Sequence, residues 1–439
     1  MRRPAPTRRA RQRLLVAVAG CLLVTLGGCA GPVTADGLRG ARLEVLAVWS
    51  GTEQQRFEPV LRAFEASTGA TITYSPAGHD VADAIDARLR AGRPPDIAFL
   101  PQPGLLRQYA AEGRLVPLSR PAAAAVTANY PPRWRDLASV DGRLYGVWFK
   151  AAHKSLIWYN VAAFERIGVV PPTDVTGLLA TAGKLASSGT PAFAVAGRDS
   201  WTLTDLFENL YLTLAGPDRY DALAVHRLPW TDPSVTATLR ILARFLAPHL
   251  VAGGVRAALG EDFEGSVQQA FTSPPHAAMV CEGDFVAGIV TGRTSARLGV
   301  DADVFAFPSS PSAAPAIVAG GDVAVQMRPS PAGAAFLRWL ATPEAAAIWA
   351  RQGGYISPNA NLDLSVYPDE TSRAVARSLL DGGAAVRFDL SDLQPPAFGS
   401  DNRSGMRREL RDFFAHPDVE GTAARLEAAA QAAFTGAPG

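Results

Sequence analysis

Three carboxylates and a pair of glycines carry the densest chemical signal in this 439-residue chain. Glu282 and Asp284 stand two apart, so on an extended segment both side chains leave the same face. Asp322 follows Gly320-Gly321, and a glycine at Gly321 lets backbone amides approach a bound molecule closely. Three acids converging on one cleft bind neutral hydroxyls, a metal, or a cationic group such as an amino sugar's ammonium. The competing reading makes them helix-cap or turn acids. A second set of polar residues follows strand-like runs: Ser50 and Glu53 after the first, His79 and Asp80 after the second, Gln102 after the third. Those are the positions at which an open α/β sheet presents its ligand crevice, although His79 and Asp80 read equally as an exposed turn after Pro76-Ala77-Gly78. Lys150, His153 and Lys154 lie together; they reach a ligand, an acid on a facing element, or solvent beside a bend.

Other chemistries find less support. The six histidines are scattered and no Cys/His spacing matches a zinc site, so no metal is expected. Gly320-Gly321 lacks the lysine-bearing pattern of a phosphate loop. Paired acids two apart fit the ~5–5.5 Å carboxyl separation of a retaining glycoside hydrolase, but no further hydrolase signature accompanies them, and neither catalytic residues nor a cofactor are expected. Acids and bases nearly balance, 41 against 42 with a formal net charge of +1, which offers no broad field for nucleic acid.

The elements that must position these residues follow a leader. Arg2, Arg3, Arg8, Arg9, Arg11 and Arg13 precede an apolar run from Leu14 to Leu26, which ends in Gly27-Gly28-Cys29. That run is shorter than the ~20 residues of a membrane helix and reads as an export signal; the Arg8-Arg9 pair leaves a twin-arginine route open. The small-small-Cys ending resembles the bacterial lipobox, which implies acylation of Cys29 and attachment to a membrane. With Cys21 in the leader and Cys29 lipidated, Cys281 remains without an internal disulfide partner. Stability then comes from a core, and some 410 residues exceed the ~250–300 that one core serves, so two lobes are expected. Leu43 to Trp49 reads as a buried strand. Phe57, Val60, Leu61 and Phe64 follow at helical spacing up to Thr68-Gly69, then strands over 70–74 and 97–100 flank a helix over 83–90. This alternation is that of an open α/β sheet.

At this level the chain resembles the family 1 extracellular solute-binding proteins of sugar ABC importers. The resemblance rests on Trp49-Ser50-Gly51, Pro94-Pro95-Asp96-Ile97, Gly142 to Val147 leading to Leu156-Ile157-Trp158-Tyr159-Asn160, and Ala277-Ala278-Met279 before Glu282-Gly283-Asp284-Phe285. Gly320-Gly321-Asp322, Ala335 to Leu340 and Gly353-Gly354-Tyr355-Ile356-Ser357-Pro358 complete it. It implies a two-lobed periplasmic-binding-protein fold, type II-like, with hinge strands and a helical C-terminal region. Residues 1–28 are then a signal peptide and 29–41 a lipidated tether. One lobe comprises 42–149 and 305–341, the other 150–304 and 342–439. Crossings fall near 149–155, 304–308 and 340–345; Trp148 stands where the family usually has proline. Trp49, Trp201 and Phe285 match cleft-facing positions, where flat apolar faces meet the C–H side of a sugar ring, and Tyr355 joins them as a ligand contact. The resemblance implies a monomer, lipid-anchored to the outer face of the cell membrane, that closes on a carbohydrate, with an amino sugar or oligosaccharide among the candidates, and delivers it to permease subunits without altering it. Glycerophosphodiester, peptide and polyamine ligands stay open: an anion would call for Arg198, Arg351 or Arg387, and a polyamine for acids in an aromatic box. The segment from Phe388 to Phe398 is placed over the ligand.

Overall fold

Five of the six residues in the strand Arg42–Ala47 (β1) are apolar or carry their charge at the rim, and β1 lies between parallel partners on both edges, Thr71–Pro76 (β2) and Ile97–Leu100 (β3). A strand covered on both faces has no reason to alternate, and Val45, Leu46 and Ala47 are all buried. The computed structural model of the chain describes residues 35–78, 81–309 and 316–436. The leader, Cys29, and His79 with Asp80 lie outside the described residues.

Between β1 and β2 runs the helix Gly51–Thr68, which turns Phe57, Val60, Leu61 and Phe64 inward at i, i+3, i+4, i+7 and stops at Gly69. Gly69 sits at φ 70°, where a side chain would be strained, and its N–H returns to Glu65 O, closing the helix. Short strands Ser139–Val140 (β4) and Arg143–Leu144 (β5) pair with each other, and Gly146–His153 (β6) then enters the first sheet. Leu156–Asn160 (β7), Phe193–Ala194 (β8), Met279–Cys281 (β9) and Ala302–Ala306 (β10) form a second sheet in the order β10-β7-β9-β8. Ile317–Gln326 (β11) returns to the first sheet, antiparallel to β3 and β6, and Val386–Phe388 (β12) pairs with it in parallel. Two apolar cores result: the larger covers the first sheet and also takes in Trp158 and Val280 of the second, and the smaller holds Ile157 and Met279 of the second sheet.

The link between the two bodies is short. β6 leaves the first sheet at His153 and β7 enters the second at Leu156, so Lys154 and Ser155 are the crossing. The returning chain lies beside it: Phe307 N–H donates to Ser155 O (2.9 Å), Val318 N–H to Ser155 Oγ (2.8 Å), and Lys154 N–H to Val318 O (2.9 Å). Three boundaries move relative to the sequence reading. Residues 150–153 stay with the first sheet, as the end of β6 paired to β11. Residues 305–306 complete β10 of the second sheet, because the ladder with β7 extends to Leu156. The helix Pro343–Ala350 stays with the first body, because Trp349 is drawn into its aromatic core beside Trp49 (4.8 Å) and Phe57 (5.7 Å). The third crossing therefore falls after β12, at Asp389, and not near 340–345.

Candidate functional site

The two bodies face each other across a cavity of about 120 Å³. From the first side come Trp49, at the end of β1, Glu53 on the helix after it, Gln102 after β3, and Gly321 and Asp322 on β11. From the second come Trp201, Asp205, Phe263, Phe285, Asp389, Asp392 and Arg407, while Lys150 and Lys154 belong to β6 and the crossing itself.

One wall is aromatic. Trp201, Phe263 and Phe285 pack with centroids 5.2–5.9 Å apart, in tilted and edge-on arrangements suited to aromatic quadrupoles. Trp201 opens the helix Trp201–Ala215, and the preceding Ser200 adopts φ 58°, ψ −32°. A left-handed serine is uncommon strain, and here it turns the chain so that the first helical residue points into the cavity. Asp205 and Glu208 follow at i+4 and i+7, on the same helix side.

The opposite features are ionic. Lys154 Nζ bonds Asp205 Oδ1 (3.0 Å) and Asp389 Oδ2 (2.5 Å); both acids are buried and the lysine nearly so. Glu208 accepts from the N–H groups of Leu390 (2.7 Å) and Ser391 (3.0 Å), and Asp389 accepts from Ser391 Oγ (2.7 Å) and Asp392 N–H (2.9 Å). Burial pushes Asp205 up to about 7 despite Lys154, and burial with Asp389 and Asp205 raises Glu208 as well. Asp389 goes the other way: burial opposes its charge, but Lys154, Ser391 and Asp392 outweigh it and hold it well below the usual carboxylate range. Burial also opposes the charge of Lys154, yet Asp205, Asp389, Asp392 and Glu208 keep it firmly protonated. Asp205, Glu208 and Asp389 offer oxygens within 4.8 Å of one another, a spacing that would suit a metal, but the Lys154 ammonium already supplies the cation there.

Lys150 repeats the pattern. It pairs with Glu53, and burial against its charge is outweighed by Glu53, Asp322 and Asp284. Asp322 accepts from Trp49 Nε1 (3.1 Å), and burial lifts it to about 6. Lys150 Nζ lies 5.5 Å from the Phe285 ring and Lys154 Nζ 5.6 Å from that of Trp201. The protein's own ammonium groups thus occupy the cation positions over the aromatic wall. What the cavity offers a visitor is flat apolar surface ringed by neutralised acceptors and donors.

The sequence pattern of the bacterial extracellular solute-binding proteins matches residues 49–347. The chain belongs to that family. The osmoprotective compounds-binding protein GgtB of Synechocystis sp. is 33% identical over 390 residues, 86% of this chain and 90% of the relative. The alpha-glucosides-binding periplasmic protein AglE of Rhizobium meliloti is 30% identical over 379 residues, 83% and 82% of the two chains. The solute receptor AcbH, whose substrate preference is β-D-galactopyranose, superposes with a TM-score of 0.79 at 21% identity, covering 90% of this chain and 99% of that one. RafE in complex with raffinose gives 0.73 at 16%, covering 88% and 98%. These likenesses show the two-lobed fold of extracellular solute-binding proteins.

For a solute-binding protein of this architecture, the structure sorts the residues singled out by sequence into three groups. Trp49, Glu53, Gln102, Trp201, Phe285, Gly321 and Asp322 line the cavity. Trp49 does so with an edge only, since its ring is wedged among Phe57, Phe99 and Trp349. His153, Glu282, Asp284 and Tyr355 are buried behind it. Burial lowers His153 to about 4, its ring Nε2 faces Ser378 Oγ (3.3 Å), and Tyr355 OH donates to Phe149 O (2.7 Å). Glu282 and Asp284 do not share a face of the cavity, because β9 ends at Cys281 and the next residues turn: Glu282 lines a small void beside Cys281, and Asp284 accepts from His153 N–H (2.7 Å). Ser50 is exposed at the start of its helix, outside the cavity lining, and His79 lies outside the described residues. The glycine pair serves packing: a Cβ on Gly321 would meet Lys150 O at 2.3 Å, and one on Gly320 would meet Lys154 Cε at 2.7 Å. Gly320 is what lets Lys154 pass. Of the arginines considered for an anion, Arg198 pairs with Asp262, Arg387 with Asp221, and Arg351 donates to Ala347 O; Arg407 lines the cavity.

Sequence reasoning missed Asp205, Phe263, Asp389, Ser391, Asp392 and Arg407. Trp201 with Asp205 and Glu208 at one-face spacing was a readable signal for the first. Asp389 to Asp392 fall within the segment placed over the ligand, without any indication that they would meet Lys154.

Asp284 carries a consequence for pH. Burial raises it to about 7, Lys150 and the His153 N–H counteract in part, and Glu53 adds to the rise. Its Oδ2 has no hydrogen-bond partner, as suits a protonated acid. Between pH ~4 and ~7 the folded chain then holds a proton that the unfolded chain has released, so stability falls as pH rises through that window, by about 1.4 kcal/mol per pH unit. Asp284→Asn mimics the protonated acid and keeps an acceptor for His153. Urea unfolding should show its stability at pH 7.5 equal to or above that of the parent, with the pH slope reduced by one proton's worth. An unchanged slope, or a large loss at pH 7.5, would contradict the assignment.

Proposed function

We propose that this protein is the exported, lipid-anchored receptor of an ABC importer, and that it captures a neutral glycoside between its lobes and hands it unchanged to the permease. The observation that carries the reading is the composition of the inner cavity: an aromatic wall of Trp201, Phe263 and Phe285 opposite carboxylates whose charge Lys150 and Lys154 offset. Aromatic faces take the C–H side of a sugar, and fixed acceptors and donors take its hydroxyls. A polyamine or amino sugar would bring a cation to positions that two ammonium groups already hold. One relative supports this, an α-glucosides-binding protein. The Leu26-Gly27-Gly28-Cys29 sequence supports lipid attachment at Cys29. One chain contributes both walls, so a monomer suffices. The ligand's contacts with both lobes drive closure.

A thermal-shift panel of α-glucosides, β-glucosides, amino sugars, glycerophosphodiesters and polyamines tests this. An α-glucoside at 100 times its dissociation constant should add ~2.7 kcal/mol and be recovered intact. Stabilisation by polyamines alone, or turnover of the glycoside, would overturn the proposal. Labelled palmitate incorporated by the full chain but not by its Cys29→Ser variant tests the anchor.

A further inference from the structure

The first lobe carries a groove of its own, of about 390 Å³, away from the solute. Leu38, Phe64, Pro121, Pro331 and Trp339 line it together with the exposed Arg338, and no acid does so among the described residues. It shares no residue with the cavity between the lobes and lies at the other end of the sheet. Leu38 comes before the first residue of β1 and Trp49 after the last, and a strand of six residues spans roughly 20 Å. The hydroxyls of the groove are spent locally: Thr68 Oγ1 and Ser67 Oγ donate to Phe64 O (2.7 and 2.9 Å), and Thr342 Oγ1 to Trp339 O (2.8 Å). Trp339 Nε1 differs. It is a buried donor with no acceptor among the described residues, and such a group costs stability until an acceptor arrives. An apolar floor with one waiting N–H suits an extended peptide, which brings apolar side chains and carbonyl oxygens together; an acyl chain brings no acceptor.

The described part of the chain begins beside this groove. Leu38 closes the 3₁₀ turn Ala35–Leu38 and belongs to the apolar core of the lobe. The residues just before that turn, Gly31-Pro32-Val33-Thr34, lie outside the described residues, carry no charge and include one apolar pair. One 3₁₀ turn and two extended residues let Val33 lie anywhere within roughly 13 Å of Leu38. A segment tied so closely meets the groove at an effective concentration in the millimolar range, above that of a second copy in ordinary solution.

We infer that Pro32-Val33 docks in this groove, against Leu38, Phe64 and Trp339, with a carbonyl of the segment accepting from Trp339 Nε1. The tether is then a short leash. The four residues from Cys29 to Pro32 span at most roughly 14 Å, so a lipid on Cys29 turns the helices Arg120–Asn129 and Pro331–Leu340 toward the bilayer and the solute cavity away from it. The docking rests on the function proposed above only for removal of the leader before Cys29, which the mass of the purified chain reports separately.

Hydrogen exchange of the processed chain, read by mass spectrometry on peptides covering 29–38, tests the docking. The amides of Val33 and Thr34 should exchange at least tenfold more slowly than in a free peptide of the same sequence. Ala334→Trp fills the groove and should return them to within about twofold of the peptide; Ala335→Trp does so from the next position should the first variant misfold. Val33→Asp, which removes the apolar contact from the segment's side, should release Thr34 in the same way while the affinity for the solute stays unchanged. Exchange at the free-peptide rate in the parent, protection that survives the groove variants, or protection that rises with protein concentration, as docking by a second copy would give, overturns the inference and leaves the glycoside reading intact.

Discussion

Replacing Lys154 with methionine should destabilise the protein by about 3–5 kcal/mol at pH 7.5, the cost of leaving buried charge without its partner. Lys154 Nζ is the cation shared by Asp205 and Asp389, with Glu208 and Asp392 close behind. Methionine has nearly the same length and fills the path that Gly320 leaves open, so the loss reports charge rather than volume. Its pH dependence identifies the mechanism. Without the ammonium, Asp389 loses what holds its pKa down, and burial drives it up with its neighbours. The folded variant then retains protons that its unfolded chain releases, so its stability falls as pH rises above ~4, and the deficit against the parent is smaller at pH 5 than at pH 8. Adding Asp389→Asn should recover part of the loss, a coupling that a double-mutant cycle measures. A deficit under ~1 kcal/mol, or one independent of pH, would mean that Lys154 is not the keystone of the crossing.

This lysine also marks how far sequence carries. The first lobe was legible because its determinants are local. Leu43 to Ala47 is apolar without alternation, Phe57 to Phe64 has one period, and Gly69 supplies the only kind of residue that stops that helix comfortably. Trp201 and Phe285 were legible by resemblance, and both reach the cavity. The ionic half of the site was not. Lys154 meets Asp205 across 51 residues and Asp389 across 235, and nothing in the spacing of either acid announces the meeting. The same limit explains the misplaced residues. Tyr355 and His153 carry groups that suit a ligand, but whether a side chain faces a cavity or the core behind it depends on which sheet edge the chain joins next. For Tyr355 the neighbouring Ile356 bridges to Ala151, and the ring stacks on Trp349 at 5.0 Å. Glu282 and Asp284 were read on an extended segment, and the strand ends one residue before the first of them.

Truncating Trp201 should be the most damaging change to ligand binding that leaves the fold standing. The indole lies at the cavity surface, and its orientation is fixed before any ligand arrives by Phe263, Phe285, the Lys154 ammonium and the strained Ser200. A pre-set aromatic face spends no ordering entropy on binding, which is where affinity for a flexible polyol is usually lost. Burial of such a face is worth about 2–3 kcal/mol, so Trp201→Ala should weaken the best glycoside roughly 30- to 150-fold, with Trp201→Phe intermediate. Trp49→Phe offers the contrast. The Trp49 ring is core, and its Nε1 bonds Asp322, so the variant should lose stability with a smaller change in affinity. Calorimetric titration of the three variants, each checked for its unfolding midpoint, separates wall from scaffold. An affinity for Trp201→Ala within threefold of the parent would show that the aromatic wall is not where the sugar rests.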